Sequence, residues 1–237
     1  MIIVLKKGEG PLMAVIPRPA STVVLMNDLS QVYLTKRPTT MKFFGGYCVF
    51  PGGAVDKTDY KIDSHYIKYG NHDKTFHPAY YVAAARELFE EVGILLVSTG
   101  DGALTNIETD KVNKYRRLLL NRERSFLNML EQEGFQLQLE NLTYFGHLIT
   151  PEVNPIRFDT RFFLAQLPTG QFPNPDSNEI DDAFWFSPEE ALIAHQYGDI
   201  SLAPPTILAL KTIMNFNKGG PLMMPDQETA KKWFDRK

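Results

Sequence analysis

The run Arg86-Glu87-Leu88-Phe89-Glu90-Glu91-Val92-Gly93-Ile94 gathers three carboxylates and a guanidinium within a few residues. On a helix, Glu87, Glu90 and Glu91 stand at i, i+3 and i+4 and share one face. Carboxylates that close repel one another, and alone they would raise their pKa values or splay into water. A hard divalent cation among their oxygens turns the repulsion into attraction. No His or Cys accompanies them, so Mg2+ or Mn2+ is the expected ion. A glutamate-rich helix face is more often simply solvated. Three neighbours favour a site here. Arg86 can hold Glu90 as an i, i+4 pair. Gly93 is a suitable helix stop. Ala84, Ala85, Leu88, Phe89 and Val92 form an apolar side that can anchor the helix on a core.

These nine positions resemble the second half of the Nudix box, and Gly53 of Phe50-Pro51-Gly52-Gly53 matches the glycine that opens it. Gly53 and Arg86 are 33 positions apart, more than twice the usual separation, so the box resembles one with an insertion over about 58–77. The glutamate that the box carries between its glycine and its arginine has no clear counterpart. Asp59 has the right offset from Gly53 only if the insertion follows it, and it is given no role. The resemblance implies metal-dependent hydrolysis of a diphosphate linked to a nucleoside. In that reading Glu87, Glu90 and Glu91 bind metal and share the catalytic work, and Arg86 orients them. Gly52 and Gly53 let the backbone turn tightly beside them.

The segment from Leu34-Thr35-Lys36-Arg37 to Phe50-Pro51-Gly52-Gly53 is similar to the signature of the coenzyme A diphosphatase branch. Arg37, Gly46 and the Phe-Pro-Gly-Gly match in place. Lys42 stands where the signature has arginine, and Pro38 where it has a small residue. Lysine keeps the charge and loses the bidentate fork. Coenzyme A or an acyl-coenzyme A is the substrate implied, with Lys36, Arg37 and Lys42 as a cationic locus for its 3′-phosphate. The long box, a helical insert and Ile149-Thr150-Pro151-Glu152 followed by Arg157-Phe158-Asp159-Thr160-Arg161 resemble the peroxisomal-type subgroup. The alternatives are a Nudix hydrolase for ADP-ribose or a dinucleotide and, more distantly, a non-catalytic nucleotide sensor. Sensors of that kind have eroded glutamates, whereas all three stand here.

Other candidates carry two readings each. Arg157, Asp159 and Arg161 alternate along a strand, either as an ion-pair ladder or with the arginines meeting substrate phosphates. Glu152 and Glu179 lie where Nudix enzymes often draw a further carboxylate, and the sequence does not choose between them. His147 reads as a locally satisfied strand residue and Cys48 as a small buried hydrophobe. Phe184, Trp185 and Phe186 read as core, with adenine stacking as the alternative.

Composition narrows the class. The chain has 237 residues, is 43% hydrophobic and carries a net charge of −3. No basic field recruits nucleic acid. A single cysteine excludes an intrachain disulfide framework. The N-terminal run lacks the layout of a signal peptide, and nothing is long enough for a membrane span. Asp235-Arg236-Lys237 is not a peroxisomal address, so a cytoplasmic protein is expected.

The elements that must position these residues are legible as patterns. Strands are expected at 21–26 and 31–37 around an Asn27-Asp28 turn, and at 47–50, 94–98, 144–150, 157–167 and 183–186. Helices are expected at 79–92, 109–120, 124–133, from the Ser187 capping box to His195, and 204–216. A short helix is possible at 227–234. This order implies an α/β protein, and the resemblance a Nudix α/β/α sandwich with a mixed sheet. It is read as a single domain with a core over about 18–216, a helical insertion over about 105–135 and a tail over 217–237. The insertion is expected as a lid, a pocket wall or a homodimer contact, or as a plain amphipathic hairpin.

Overall fold

A computed structural model describes residues 15–70, 73–99, 108–226 and 228–230. Its centre is strand β1 (Arg18–Met26). Side chains alternate across a strand, so Val23 and Leu25 enter one apolar core and Val24 and Met26 the other. β2 (Val32–Lys36) returns antiparallel beside β1. The turn between them is closed by Asn27, whose Oδ1 accepts the N–H groups of Leu29 and Gln31 at 3.0 Å each. Two short strands follow, β3 (Cys48–Val49) on β2 and β4 (Gly52–Ala54) on β1.

The other strands of this sheet come late in the chain. They are β8 (Thr143–Ile149), β9 (Phe158–Gln166) and β10 (Asp182–Phe186), in the order β10-β2-β1-β9-β8. β1 and β9 run parallel and their neighbours antiparallel, so the sheet is mixed. Helix α1 (Ala79–Val92) covers one face. The opposite face is covered by α4 (Pro188–Tyr197) and α5 (Pro204–Asn217). The Ser187 capping box forms as the sequence suggests: Ser187 Oγ accepts from Glu190 N at 3.2 Å, and Glu190 returns the bond. The result is the expected α/β/α sandwich.

The segment read as an insertion is built into the fold. It holds short 3-10 turns at Asp59–Lys61 and Ser64–Tyr66 and the strand β5 (Ile67–Lys68). β5 pairs in parallel with β7 (Phe135–Gln138), which pairs antiparallel with β6 (Val97–Thr99). The strand expected at 94–98 forms only as β6 at Val97–Thr99, and β5 and β7 carry no periodic signature because strands of two to four residues are too short to display one. Ile62, Tyr66, Tyr69 and Phe76 pack the segment onto the α1 core.

The helical insertion, α2 (Thr109–Leu120) and α3 (Phe126–Glu133), shares that core through Tyr115, Leu119, Phe126, Met129 and Leu130. It is part of the sandwich rather than a satellite. The helix suggested at 227–234 falls mostly outside the described residues, as do the two termini. Among the described residues no helix is long and apolar enough to cross a membrane.

Candidate active site

Helix α1 is buried nearly all round, which excludes a solvated face for its acids. The side chains of Glu87 and Glu90 are 14% and 12% exposed, and Glu91 is 9% exposed. Gly93 closes the helix in the left-handed region at φ 74°, where glycine is least strained.

Arg86 organises the cluster with all five of its donors. Nη1 donates to Glu87 Oε1 and Glu90 Oε2, both at 2.8 Å. Nη2 donates to the Ala54 carbonyl at 2.9 Å and to Asp59 Oδ2 at 3.0 Å, and Nε donates to Asp59 Oδ1 at 2.9 Å. Asp59, which the sequence reading gave no role, is thus a buried partner of Arg86. The signal was present as its six-residue offset from Gly53. What the sequence could not reveal is that the insertion begins beyond it. Burial draws the guanidinium toward its neutral form, but Glu87, Asp59 and Glu90 outweigh that and hold it protonated.

The Pro51-Gly52-Gly53 turn meets the same helix. The Gly52 N–H donates to Glu91 Oε2 at 3.2 Å. A Cβ on Gly52 would lie 2.3 Å from the Ser21 carbonyl oxygen, and one on Gly53 only 2.5 Å from Glu87 Oε1. Gly52 needs to be glycine because the backbone of strand β1 leaves no room for a Cβ, and a side chain at Gly53 would displace the Glu87 carboxylate.

A second tie comes from a residue that sequence reasoning missed. Arg116, on α2 and 4% exposed, donates to the carbonyls of Glu90 at 3.0 Å, Glu91 at 2.8 Å and Asn174 at 2.7 Å. The last carbonyls of a helix lack intrahelical partners. Arg116 supplies them and so fastens the insertion to the end of the acidic helix.

Two cavities open beside this machinery. One, of about 540 Å³, is lined by Glu87, Glu90, Glu179, Arg122 and Arg124. The other, of about 660 Å³, is an apolar cleft lined by Phe43, Phe44, Phe158 and Pro204, with Arg18, Arg37 and Lys42 at its polar positions. Gly52 and Gly53 line the cleft, and Ala54 lines both cavities. The cleft falls within the volume range of small-molecule sites. The buried Nε of Arg37 has no hydrogen-bond partner among the described residues.

Other candidates lie elsewhere. Lys36 lines neither cavity, because adjacent strand residues face opposite ways and Arg37 takes the cleft side. Arg157 is buried and spends its guanidinium on the Thr150 and Val15 carbonyls at 2.9 and 2.7 Å. Arg161 lies over the Tyr80 ring, 4.8 Å from its centroid, and pairs with Asp159, which also meets His147 Nε2 at 2.5 Å. Neither arginine is brought to the carboxylates or the cleft. Glu152 is exposed and lines neither cavity, whereas Glu179 faces the acidic one. Trp185 packs on Tyr33 with ring centroids 4.9 Å apart, and Phe184 and Phe186 join the second core. The aromatic residues of the cleft, Phe43, Phe44 and Phe158, carry no distinctive spacing in the sequence.

The acids are electrostatically strained. Burial, helped by Glu90, pushes Glu87 up to about 7 against the pull of Arg86. Burial and the charges of Glu87 and Glu179 raise Glu91 well above the ordinary carboxylate value. Burial and Asp176 raise Glu179. Desolvated carboxylates that destabilise each other's charge have the donor chemistry that suits a hard divalent cation. Among the described residues no three His, Cys, Asp or Glu side chains are already gathered into one coordination sphere.

The shifts have a signed consequence. A carboxyl raised in the folded state keeps a proton that the unfolded chain has released. Stability is then lost as pH rises from the ordinary carboxylate value of 4.5 through the folded value of about 7. In a chelator, the melting temperature should fall across that interval, and a divalent cation should flatten the slope by replacing the proton as counter-charge. A melting temperature that climbs across the same interval would contradict the strained cluster.

Known proteins share this sequence and shape. The family model described as the NUDT19 Nudix domain matches residues 71–213. A Caenorhabditis elegans protein named putative nudix hydrolase 7 is 30% identical over 191 residues, covering 81% of this chain and 58% of that protein. The Xenopus laevis acyl-coenzyme A diphosphatase NUDT19 is 25% identical over 228 residues, covering 78% of this chain and 60% of that protein. The chain thus spans about three fifths of the length of these relatives. The crystal structure of a Nudix hydrolase from Alicyclobacillus acidocaldarius superposes with a TM-score of 0.73 at 29% identity, over 93% of this chain and 97% of the other.

Proposed function

This chain belongs to the Nudix hydrolase family, and from that premise we propose that it hydrolyses the diphosphate of coenzyme A or an acyl-coenzyme A. The products would be the (acyl-)4′-phosphopantetheine and adenosine 3′,5′-bisphosphate. The observation that carries the reading is Arg37. Its guanidinium lines the apolar cleft, lies within electrostatic reach of Glu91 and Glu179, and keeps a buried donor without a partner among the described residues. A buried donor left unpaired is costly, and a phosphate oxygen would satisfy it. Lys42 and Arg18 add positive charge beside Phe43, Phe44 and Phe158, a combination suited to a phosphorylated adenosine. The name of the Xenopus laevis relative supports the same substrate class.

Glu87, Glu90 and Glu91 would hold Mg2+ or Mn2+, which when bound supplies positive charge against the diphosphate and acidifies water. The chain's own groups do the rest. Arg86 and Asp59 hold Glu87 and Glu90 in place. The glycine turn brings the backbone against the acids with nothing between. Glu179 faces the cavity with its carboxyl raised toward the working range of a general base, and no side-chain hydrogen bond among the described residues engages it. It takes the proton of water. The water oxygen bonds to phosphorus and the bridging P–O bond breaks, its electron pair leaving on the bridging oxygen.

The test is mass-spectrometric product analysis with coenzyme A and Mg2+ or Mn2+ in 18O-enriched water, beside dephospho-coenzyme A. The two expected products, with slower turnover of the dephosphorylated form, are the supporting result. Cleavage of ADP-ribose or a dinucleotide in place of coenzyme A would overturn the substrate. Binding without turnover of any of these would overturn hydrolysis itself.

A further inference from the structure

The cavity beside the acids is lined by side chains of opposite charge, Glu87, Glu90 and Glu179 together with Arg122 and Arg124 from the turn between α2 and α3. Arginines at a helix tip are ordinarily solvated, but three features set these apart.

The first is their charge balance. Among the described residues neither guanidinium is in an ion pair, Asp56 feeling Arg122 only at longer range, although Lys111 of α2 is paired with Glu133. The second is the backbone. Arg122 sits in the left-handed region at φ 58°, which residues with side chains seldom adopt. Strain of this kind gathers at functional sites. The N–H groups of Arg122, Glu123 and Arg124 turn back onto the carbonyls of Leu119 and Leu118 at 2.8–3.2 Å, so the turn is closed by its own bonds. The third is the anchor. Arg116 fastens α2 to the carbonyls of Glu90 and Glu91, and Leu119 and Phe126 bury the helices on either side of the tip. The backbone of the turn is therefore fixed beside the carboxylates, and the two exposed arginine side chains extend from it.

We propose that Arg122 and Arg124 form a phosphate clamp, which holds a substrate phosphate in the cavity beside the acidic helix. The chemistry is that of a guanidinium fork meeting phosphate oxygens. The proposal rests on the diphosphatase reading and deepens it, because it assigns the helical insertion to substrate binding. An anion carrying a divalent cation satisfies both kinds of charge at once, the cation toward the glutamates and the free oxygens toward the arginines. A neutral or apolar ligand satisfies neither.

The test uses the full chain and methylenediphosphonate with Mg2+, followed by calorimetry, since its P–C–P link cannot be hydrolysed. A double Arg122→Gln, Arg124→Gln variant should bind it at least about tenfold more weakly, because a hydrogen bond to a charged group is worth roughly 1.5–3 kcal/mol. Its affinity for Mn2+ alone should not change. Arg122→Gly keeps the turn, since glycine accepts the left-handed region freely. It should also weaken binding, without lowering the melting temperature. Unchanged diphosphonate affinity in the folded variants, or no binding by the wild type, would overturn the clamp. A wild type that binds the diphosphonate through these arginines yet leaves coenzyme A intact would sustain the clamp and sink the substrate assignment instead.

Discussion

Glu90→Gln should abolish most turnover of the diphosphate substrate while leaving the protein folded. Glutamine has nearly the same volume, and its amide oxygen can still accept from Arg86 Nη1, so the helix keeps its tie at that point. What it loses is the negative charge needed to hold a cation. A missing electrostatic group at a reacting centre costs on the order of 10²–10³ in kcat. Stability should move the other way. Burial and its acidic neighbours raise the Glu90 carboxyl, so removing that charge relieves repulsion at pH 8 in the absence of divalent ions. The measurements are kcat with saturating Mn2+ and the melting temperature in a chelator. A folded variant with turnover near that of the wild type would remove Glu90 from the mechanism.

Arg86→Gln should produce the largest loss of stability. The guanidinium is one partner of a buried network in which Asp59, at 1% side-chain exposure, has almost no access to water. Removing one partner of a buried ion pair costs about 3–5 kcal/mol, because the other is left charged and unpaired. For a chain of this size each kcal/mol is worth about 2–4 °C in melting temperature. Burial already raises the Asp59 carboxyl against the pull of Arg86. Without Arg86 it should rise further, so part of the lost stability should return as the pH is lowered and the stranded acids protonate. Chemical denaturation at pH 8 and pH 5.5 measures both effects. A loss below about 1 kcal/mol at pH 8 would place the pair among weak surface contacts, for which such values are usual.

Much of this was readable along the chain. Helices α1 and α2 begin and end where apolar spacing, Pro78 and Gly93 place them, because those signals act within a few residues. The apolar run over 21–26 marked a strand, and the structure buries Val23 and Leu25 on one face and Val24 and Met26 on the other. The short strands β5 and β7 were not readable, since their pairing partner, rather than any pattern of their own, makes them strands. The same holds for Asp59. Its offset from Gly53 was visible, yet its role depended on where an insertion begins.

The sequence alone determined the local chemistry: an acidic helix with its arginine and glycine stop, a Pro-Gly-Gly turn, a cationic Arg37 segment and a family resemblance carried by those motifs. Tertiary structure decided which of these meet. It joined Arg86 to Asp59, Arg86 to the Ala54 carbonyl, and Glu91 to Gly52, across 27, 32 and 39 positions. It turned Arg161 onto the Tyr80 ring, spent Arg157 on carbonyls, and set Glu179, Arg122 and Arg124, but not Glu152, in the lining of the acidic cavity. The reason is one of range. Helical and strand periodicities are written within a turn or a pleat, whereas contacts between distant segments follow from how a helix and a sheet bury their apolar faces together.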